Sequence, residues 1–424
     1  MRDVLASNNS KHVYMLKDAD DEGKILVKYN GKDKEVVIPD ELDIRVIANG
    51  AFKENSNISK IKSNTVKKIE QESFKNCTSL TTVIFPKIKT LDSKTFWGCK
   101  NLKNVVFPNV KTIGNWVFWG CVSLESVLFP NAKTIGNKVF WYCISLKTVN
   151  FPEVKIVGND AFSACINLEE INFPNAESIN QRAFEYCDSL KNVVFPKVKT
   201  IGEKAFWCCF NLESVVFPNA KTIGNLSFWY CKNLIKMVFP KAKTIMNWTF
   251  WGCVSLESVI FPKVKTIGND AFSACINLKS VNFPNVEMIN EMAFEYCGIE
   301  NVVFPNVKTI GEKAFWGCSS LKTVNIPNVK AISSKTFIYC KNLTTVFLPS
   351  VKTIDTLAFF ECENLSSFSG NPDVTHIGVN AFVKRLNQDD KKLIPLSCDL
   401  EKYLGFKSIN TTDELESHHE YVKI

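Results

Sequence analysis

The sequence predicts a repeat solenoid of about sixteen stacked 22-residue turns, with short parallel strands on an inner face and helical turns on the outer side. Three observations predict it. Phe recurs sixteen times in register, from Phe52, Phe74 and Phe96 to Phe359 and Phe382, with gaps of 22 residues except 21 between Phe294 and Phe315 and 23 at the last step. A Cys lies three residues after the Phe in fourteen of these units, from Cys77 to Cys362. A Pro column runs beside them from Pro86 to Pro349. A fixed period of this length marks units that cannot bury an apolar face alone and do so by stacking.

One unit, LKNVVFPNVKTIGNWVFWGCVS from Leu102, shows the parts. Leu102, Val105 and Phe107 alternate as a short strand facing inward. Pro108 cannot donate a ladder hydrogen bond and ends that strand. Val110 and Ile113 form a second inward pair. Gly114 then supplies a turn, in a column that also holds Asn180, Asn290 and Asp355, residues that tolerate left-handed backbone. Val117, Phe118 and Cys121 fit one face of a short helical turn.

Residues 1–46 read as an N-terminal cap, 47–383 as the solenoid and 384–424 as a C-terminal cap, partly helical, with a frayed tail. Within the first cap, residues 24–38 suggest a hairpin around Asn30-Gly31. A second level of repetition lies above the first: NDAFSACINL occurs at 159–168 and 269–278, and AFEYC at 183–187 and 293–297. Blocks of turns have been copied, which a fold of nearest-neighbour contacts tolerates.

The pattern L-x-x-V-x-F-P-x-x-(V/A)-x-x-I-G-x-x-(A/V)-F-x-x-C, over roughly residues 36–383, resembles the BspA-like class of leucine-rich repeat. The resemblance implies a leucine-rich-repeat solenoid for adhesion and protein recognition, commonly at a cell surface, with a host or neighbouring-cell protein as ligand.

Composition excludes several classes. The 424 residues are 46% apolar and 22% charged, an ordinary globular balance. Four His weaken zinc and His-dependent acid–base chemistry. No P-loop, G-x-S-x-G, H-E-x-x-H or dinucleotide fingerprint is present. No catalytic residue, metal or cofactor is therefore expected. The N-terminus shows no signal-peptide core, and no window reaches the length of a membrane span, which on sequence alone reads as cytoplasmic. The family habit points instead to the cell surface.

Four columns remain as candidates. The Cys column reads as buried free thiols rather than bridges, because in-register side chains point the same way; Cys208, outside the column, and Cys398 are expected to react first. Lys89, Lys111, Lys133, Lys155, Lys199, Lys221, Lys243 and Lys265 share one repeat position with Lys308, Lys330 and Lys352, interrupted by Glu177 and Glu287. The termini are nearly balanced, so the repeats carry the positive charge. This ladder is either a solvated solubility stripe or a site for a polyanion such as an acidic glycan.

Trp97, Trp119, Trp141, Trp207, Trp229, Trp251 and Trp316 each follow the core Phe, with Trp116 and Trp248 two residues before it. They are expected to be at least half exposed, either covering neighbouring turns or forming a protein-binding edge. The inner-sheet residue between two strand hydrophobes is Ile84, Val106, Leu128, Asn150, Asn172, Val194, Val216, Val238, Ile260, Asn282, Val303, Asn325 and Phe347. An exposed run of this kind marks a contact surface. The reading is a non-catalytic solenoid binding a protein through this face and the aromatic edge. A structural, self-associating spacer and a polyanion binder are the alternatives; nucleic acid is not expected, since base-reading aromatics are missing from the lysine face.

Overall fold

The computed structural model describes residues 13–18, 23–385 and 393–395. The chain forms two units, Met1–Phe239 and Pro240–Ile424. Both are built from the same turn, and together they hold about sixteen of them.

Each turn contributes two strands. The longer has three residues and stacks in strict parallel register: Val105 lies on Val127, and Val127 on Val149. Its middle residue is buried and its flanking residues face out, as for Asn104–Val106 and Ser126–Leu128. The shorter has two residues, such as Thr112–Ile113, and pairs in parallel with Thr90–Leu91 and Thr134–Ile135. Parallel strands of two or three residues hold only because both ladders enclose a shared apolar core.

Two Phe columns fill that space. In the first unit Phe96, Phe118 and Phe140 stack with ring centroids 5.5 and 5.4 Å apart and planes within 7°. In the second, Phe272, Phe294 and Phe315 repeat the arrangement at 5.4 and 5.3 Å. The other column, Phe107, Phe129 and Phe151, leans against the first at about 6 Å and a tilted angle. Such offset pairs add about 0.5–1.5 kcal/mol each beyond the area they bury.

The outer segments, expected as helical turns, contain no α-helix among the described residues. They are runs of turns with two left-handed residues, two before and two after the core Phe. Trp116 and Gly120 flank Phe118, Lys138 and Tyr142 flank Phe140, and Arg182 and Tyr186 flank Phe184, all with φ between 54° and 69°. This backbone aims alternate N–H groups at the next turn. Trp116, Phe118 and Gly120 donate to the carbonyls of Asn137, Val139 and Trp141, each at 2.9 Å. Those bonds offset the cost of about 1–2 kcal/mol for a non-Gly residue in this region.

The Gly114 column is not left-handed. Its glycines are set by close approach: a Cβ on Gly158 would lie 2.3 Å from the Gly136 carbonyl oxygen of the turn before.

The hairpin expected over 24–38 does not form. Lys24–Tyr29 pairs antiparallel with Tyr14–Asp18 and parallel with Ile44–Ile47, while Glu35–Val37 pairs parallel with Lys60–Lys62. The two segments belong to different ladders, so stacking onto the next turn overrides the Asn-Gly turn signal. At the other end Val383–Arg385 pairs antiparallel with Leu393–Pro395; the expected helix and tail otherwise lie outside the described residues.

Candidate functional site

The sheet face carries the most exposed apolar surface. Val194 and Ile260 are 59% and 62% exposed, and Val106, Leu128, Ile84, Val303 and Phe347 are exposed with them. Asn150, Asn172, Asn282 and Asn325 are exposed in the same column, while Val216 and Val238 are partly covered. The residue before each is buried, as Val193 and Val215 are, except before Asn172 and Asn282. Polar pairs run between turns: Asn172 Nδ2 donates to Asn150 Oδ1 at 3.0 Å, and the Ser126 and Ser214 hydroxyls donate to Asn104 and Asn192 at 2.7 Å.

This sheet is interrupted at equivalent places in the copied blocks. In the first unit the ladder ends at Glu170–Asn172 and resumes at Asn192–Val194; in the second it ends at Ser280–Asn282 and resumes at Asn301–Val303. Ile171 and Val281, the inward residues at the breaks, are only partly buried. The Phe column behind the sheet widens there, to 6.1 Å between Phe173 and Phe195 and 6.4 Å between Phe283 and Phe304, while Phe184–Phe206 and Phe294–Phe315 stay at 5.3 Å. An open groove of about 1150 Å³ reaches the first break, lined by Val106, Leu128, Asn150, Glu170, Asn172 and Lys191.

A column beside this face escaped the sequence reading. Lys103, Glu125, Lys147, Glu169, Lys191 and Glu213 alternate in sign turn by turn and are all exposed. The signal was a period of two units rather than one.

The Trp column is less exposed than expected. Trp97, Trp119, Trp141, Trp207, Trp229, Trp251 and Trp316 are all partly buried. Trp97 and Trp119 pack edge to face at 5.2 Å, and Trp119 and Trp141 at 5.8 Å. Lysines cover the rings, with Lys75 Nζ 4.0 Å from Trp97 and Lys138 Nζ 4.4 Å from Trp141. The exposed aromatics of this edge are Tyr142, Tyr186, Trp248 and Tyr296.

The lysine ladder is exposed throughout, at Lys89, Lys111, Lys133, Lys155, Lys199, Lys221, Lys243 and Lys265 and again at Lys308, Lys330 and Lys352. Its two Glu interruptions are ion-paired. Glu177 meets Lys199 at 2.7 Å, and Glu287 bridges Lys265 and Lys308 at 2.9 and 2.8 Å. Hydrogen bonds from those two lysines hold the Glu287 carboxyl down at about 2.

All fifteen described cysteines are free and buried, Cys208 included. Cys208 is 5% exposed, so the accessible thiol expected at this position is absent; burial, with Asp188 and Glu185 nearby, also pushes its thiol up to about 12. Cys398 lies outside the described residues. Within each unit the column thiols have a partner the sequence did not suggest: they point at the carbonyl of the core Phe one turn back, as Cys121 Sγ does at Phe96 O (3.2 Å) and Cys275 Sγ at Phe250 O (3.2 Å). Among the described residues no group of His, Cys, Asp and Glu is placed to hold a metal ion, and no helix is long and apolar enough to cross a membrane.

Comparison with known proteins agrees with this architecture. The model of the BspA type leucine-rich repeat region matches residues 45–169, 155–279 and 265–388. Among solved structures, a leucine-rich repeat protein from Bacteroides ovatus is 22% identical, with a TM-score of 0.50, over 87% of this chain and 90% of that one. A leucine-rich cell surface protein from Faecalibacterium prausnitzii is also 22% identical, with a TM-score of 0.44, over 87% and 95%. A search of curated proteins finds no match. With the family pattern matched across the repeats and both strand ladders in place, the chain belongs to the BspA-type leucine-rich-repeat family.

Proposed function

We propose that this chain is a non-catalytic, adhesion-type recognition solenoid that binds a protein through its sheet face, with Tyr142 and Tyr186 contributing from the aromatic edge. The observation that carries the reading is the exposed pair Val106 and Leu128 on a register-locked backbone, with Val194 exposed beyond the break in the same unit. Apolar side chains held out by a rigid sheet lose little entropy on docking, so more of the free energy of burial appears as affinity. The break beside Asn172 adds relief to that surface.

The test is capture of proteins from surface extracts of neighbouring cells by the immobilised full chain, at low and high salt. A specific partner should persist at high salt, since apolar contact is not screened. It should be lost when Val106 and Leu128 become Ser. A partner retained by that variant would move recognition off the sheet face.

One observation favours homotypic association as a second reading. The alternating column from Lys103 to Glu213 is self-complementary when two copies pack antiparallel about a two-fold axis, Lys103 facing Glu213 and Lys147 facing Glu169. Sedimentation of the chain at low and high salt distinguishes a salt-sensitive dimer from a monomer.

A further inference from the structure

We propose that Lys89, Lys111, Lys133 and Lys155 form a rail that binds an acidic polysaccharide, at a site separate from the protein-binding face. The four side chains are exposed, and among the described residues none lies within ion-pair distance of a carboxylate, although Lys155 feels the charge of Glu177; Lys199 and Lys265 each contact a Glu. Their backbone is fixed in register: the N–H groups of Lys111, Lys133 and Lys155 donate to the carbonyls of Lys89, Lys111 and Lys133 at 2.8, 2.8 and 3.4 Å. The charges therefore recur at the spacing of neighbouring strands, about 4.8 Å.

A solubility stripe requires charge but not a single sign. The same turns show the contrast. Lys103, Glu125, Lys147 and Glu169 alternate and cancel, while the rail places four cations in succession against their mutual repulsion. A linear polyanion lying along the rail removes that repulsion and releases counterions on both sides.

The flanking chemistry selects the class of polyanion. Thr90, Thr112 and Thr134 are exposed next to three of the lysines. Asn109 and Asn131 donate to the carbonyls of Pro86 and Pro108 at 2.8 and 2.7 Å, which orients their amides along the rail. Hydroxyls and amide oxygens of this kind pair with sugar hydroxyls beside each carboxylate or sulfate. Residues 87–90, 109–112, 131–134 and 153–156 contain no aromatic ring on which a nucleic-acid base could stack.

The experiment titrates the full chain with heparin, neutral dextran and single-stranded DNA over a salt series. Heparin should bind and dextran should not. Lys111→Gln with Lys133→Gln should weaken heparin at least tenfold and lower the slope of log K against log salt by about 2, one for each lysine removed. Lys103→Gln with Lys147→Gln, equal in charge but off the rail, should change heparin binding less than twofold. Thermal unfolding of both variants should match the parent, since all four positions are exposed.

Absence of heparin binding at low salt overturns the proposal, as does an equal loss from the two pairs. Single-stranded DNA bound as tightly as heparin, and weakened by the same rail pair, also overturns it by assigning the rail to nucleic acid. None of these outcomes depends on whether the sheet face binds a protein.

Discussion

The ring of Tyr29 stacks on that of Phe52, with centroids 5.0 Å and planes 27° apart. Phe52 in turn stacks on Phe74 at 4.9 Å, so Tyr29 extends the core column one step beyond the first Phe. Its N–H donates to the Ala51 carbonyl at 3.0 Å, the same bond each turn makes to the next. Its hydroxyl donates to Asp33 Oδ2 at 2.8 Å, which lets a column otherwise made of Phe end near water. Tyr29 extends the stack toward the N-terminus, where Tyr14 tilts against it with centroids 5.4 Å apart.

Tyr29→Ala should therefore cost about 3–5 kcal/mol, as for a buried aromatic truncated in a core. Tyr29→Phe should cost about 1 kcal/mol, the hydroxyl hydrogen bond alone. Urea unfolding of both variants checks the ratio. Equal losses would place the stabilisation in the Asp33 contact rather than in the stack.

The buried thiols predict loss of stability in alkali. Burial pushes Cys77 and Cys318 up to about 12, and Cys99, Cys143 and Cys340 well above the ordinary thiol range. Below about pH 8.5 both the folded and the unfolded chain keep these protons. Above it the unfolded chain releases them and the folded chain does not, so stability falls by about 1.4 kcal/mol per thiol per pH unit. Cys121→Ala with Cys143→Ala should flatten the fall between pH 9.5 and 10.5 by about two protons. Alkylation at pH 8 without denaturant should leave Cys208 unlabelled with the column.

The copied blocks predict a second pH effect. Asp160 and Asp270 are equivalent, but Arg182 near the first is replaced by Met292 near the second. Burial, then Glu295 and Glu291, raises Asp270 to about 7 against the opposing pull of Lys313. Arg182 and Lys138 oppose burial at Asp160. A raised carboxyl contributes stability while protonated, present below about pH 4 and lost as pH rises toward 7. Asp270→Asn should thus raise the unfolding temperature at pH 7.5 and leave it unchanged at pH 4. Asp160→Asn should raise it less.

Much of this architecture is legible as periodicity. The Phe register, the free thiols and the alternation of Val193 inward and Val194 outward follow from the 22-residue period and the two-residue period of a strand. The left-handed pairs are not legible in this way. Trp116, Lys138, Asp160, Arg182 and Leu226 share the position but no chemistry, because bonds to the next turn impose the conformation. Tyr29 is hidden for a related reason: it lacks the Cys and Pro that mark its column, and only the stack on Phe52 reveals it. The breaks after Asn172 and Asn282 leave their trace in the copying, since both follow the repeated NDAFSACINL segment.

The assignment of the strand faces yields a paired test within the first unit. Val194 points away from the core and is mostly exposed, with Val216 and Val238 beside it at the next two turns. Changing all three to Ser should cost within about 0.5 kcal/mol each, as at ordinary surface positions. Val193, Val215 and Met237 lie one residue earlier and are buried. Truncating each to Ala should cost roughly 1–4 kcal/mol, through lost transfer energy and the cavity left behind. Thermal unfolding of the outward triple should overlay the parent, while each inward variant unfolds measurably earlier. The outward triple should also weaken any partner held by the sheet face, by up to several kcal/mol if these residues lie at the centre of the contact. Unchanged stability with full partner binding would locate recognition on the tyrosine edge instead. Strong destabilisation by the outward triple would mean that the exposed face is a structural element, because side chains that bear no load in the fold cannot unfold it.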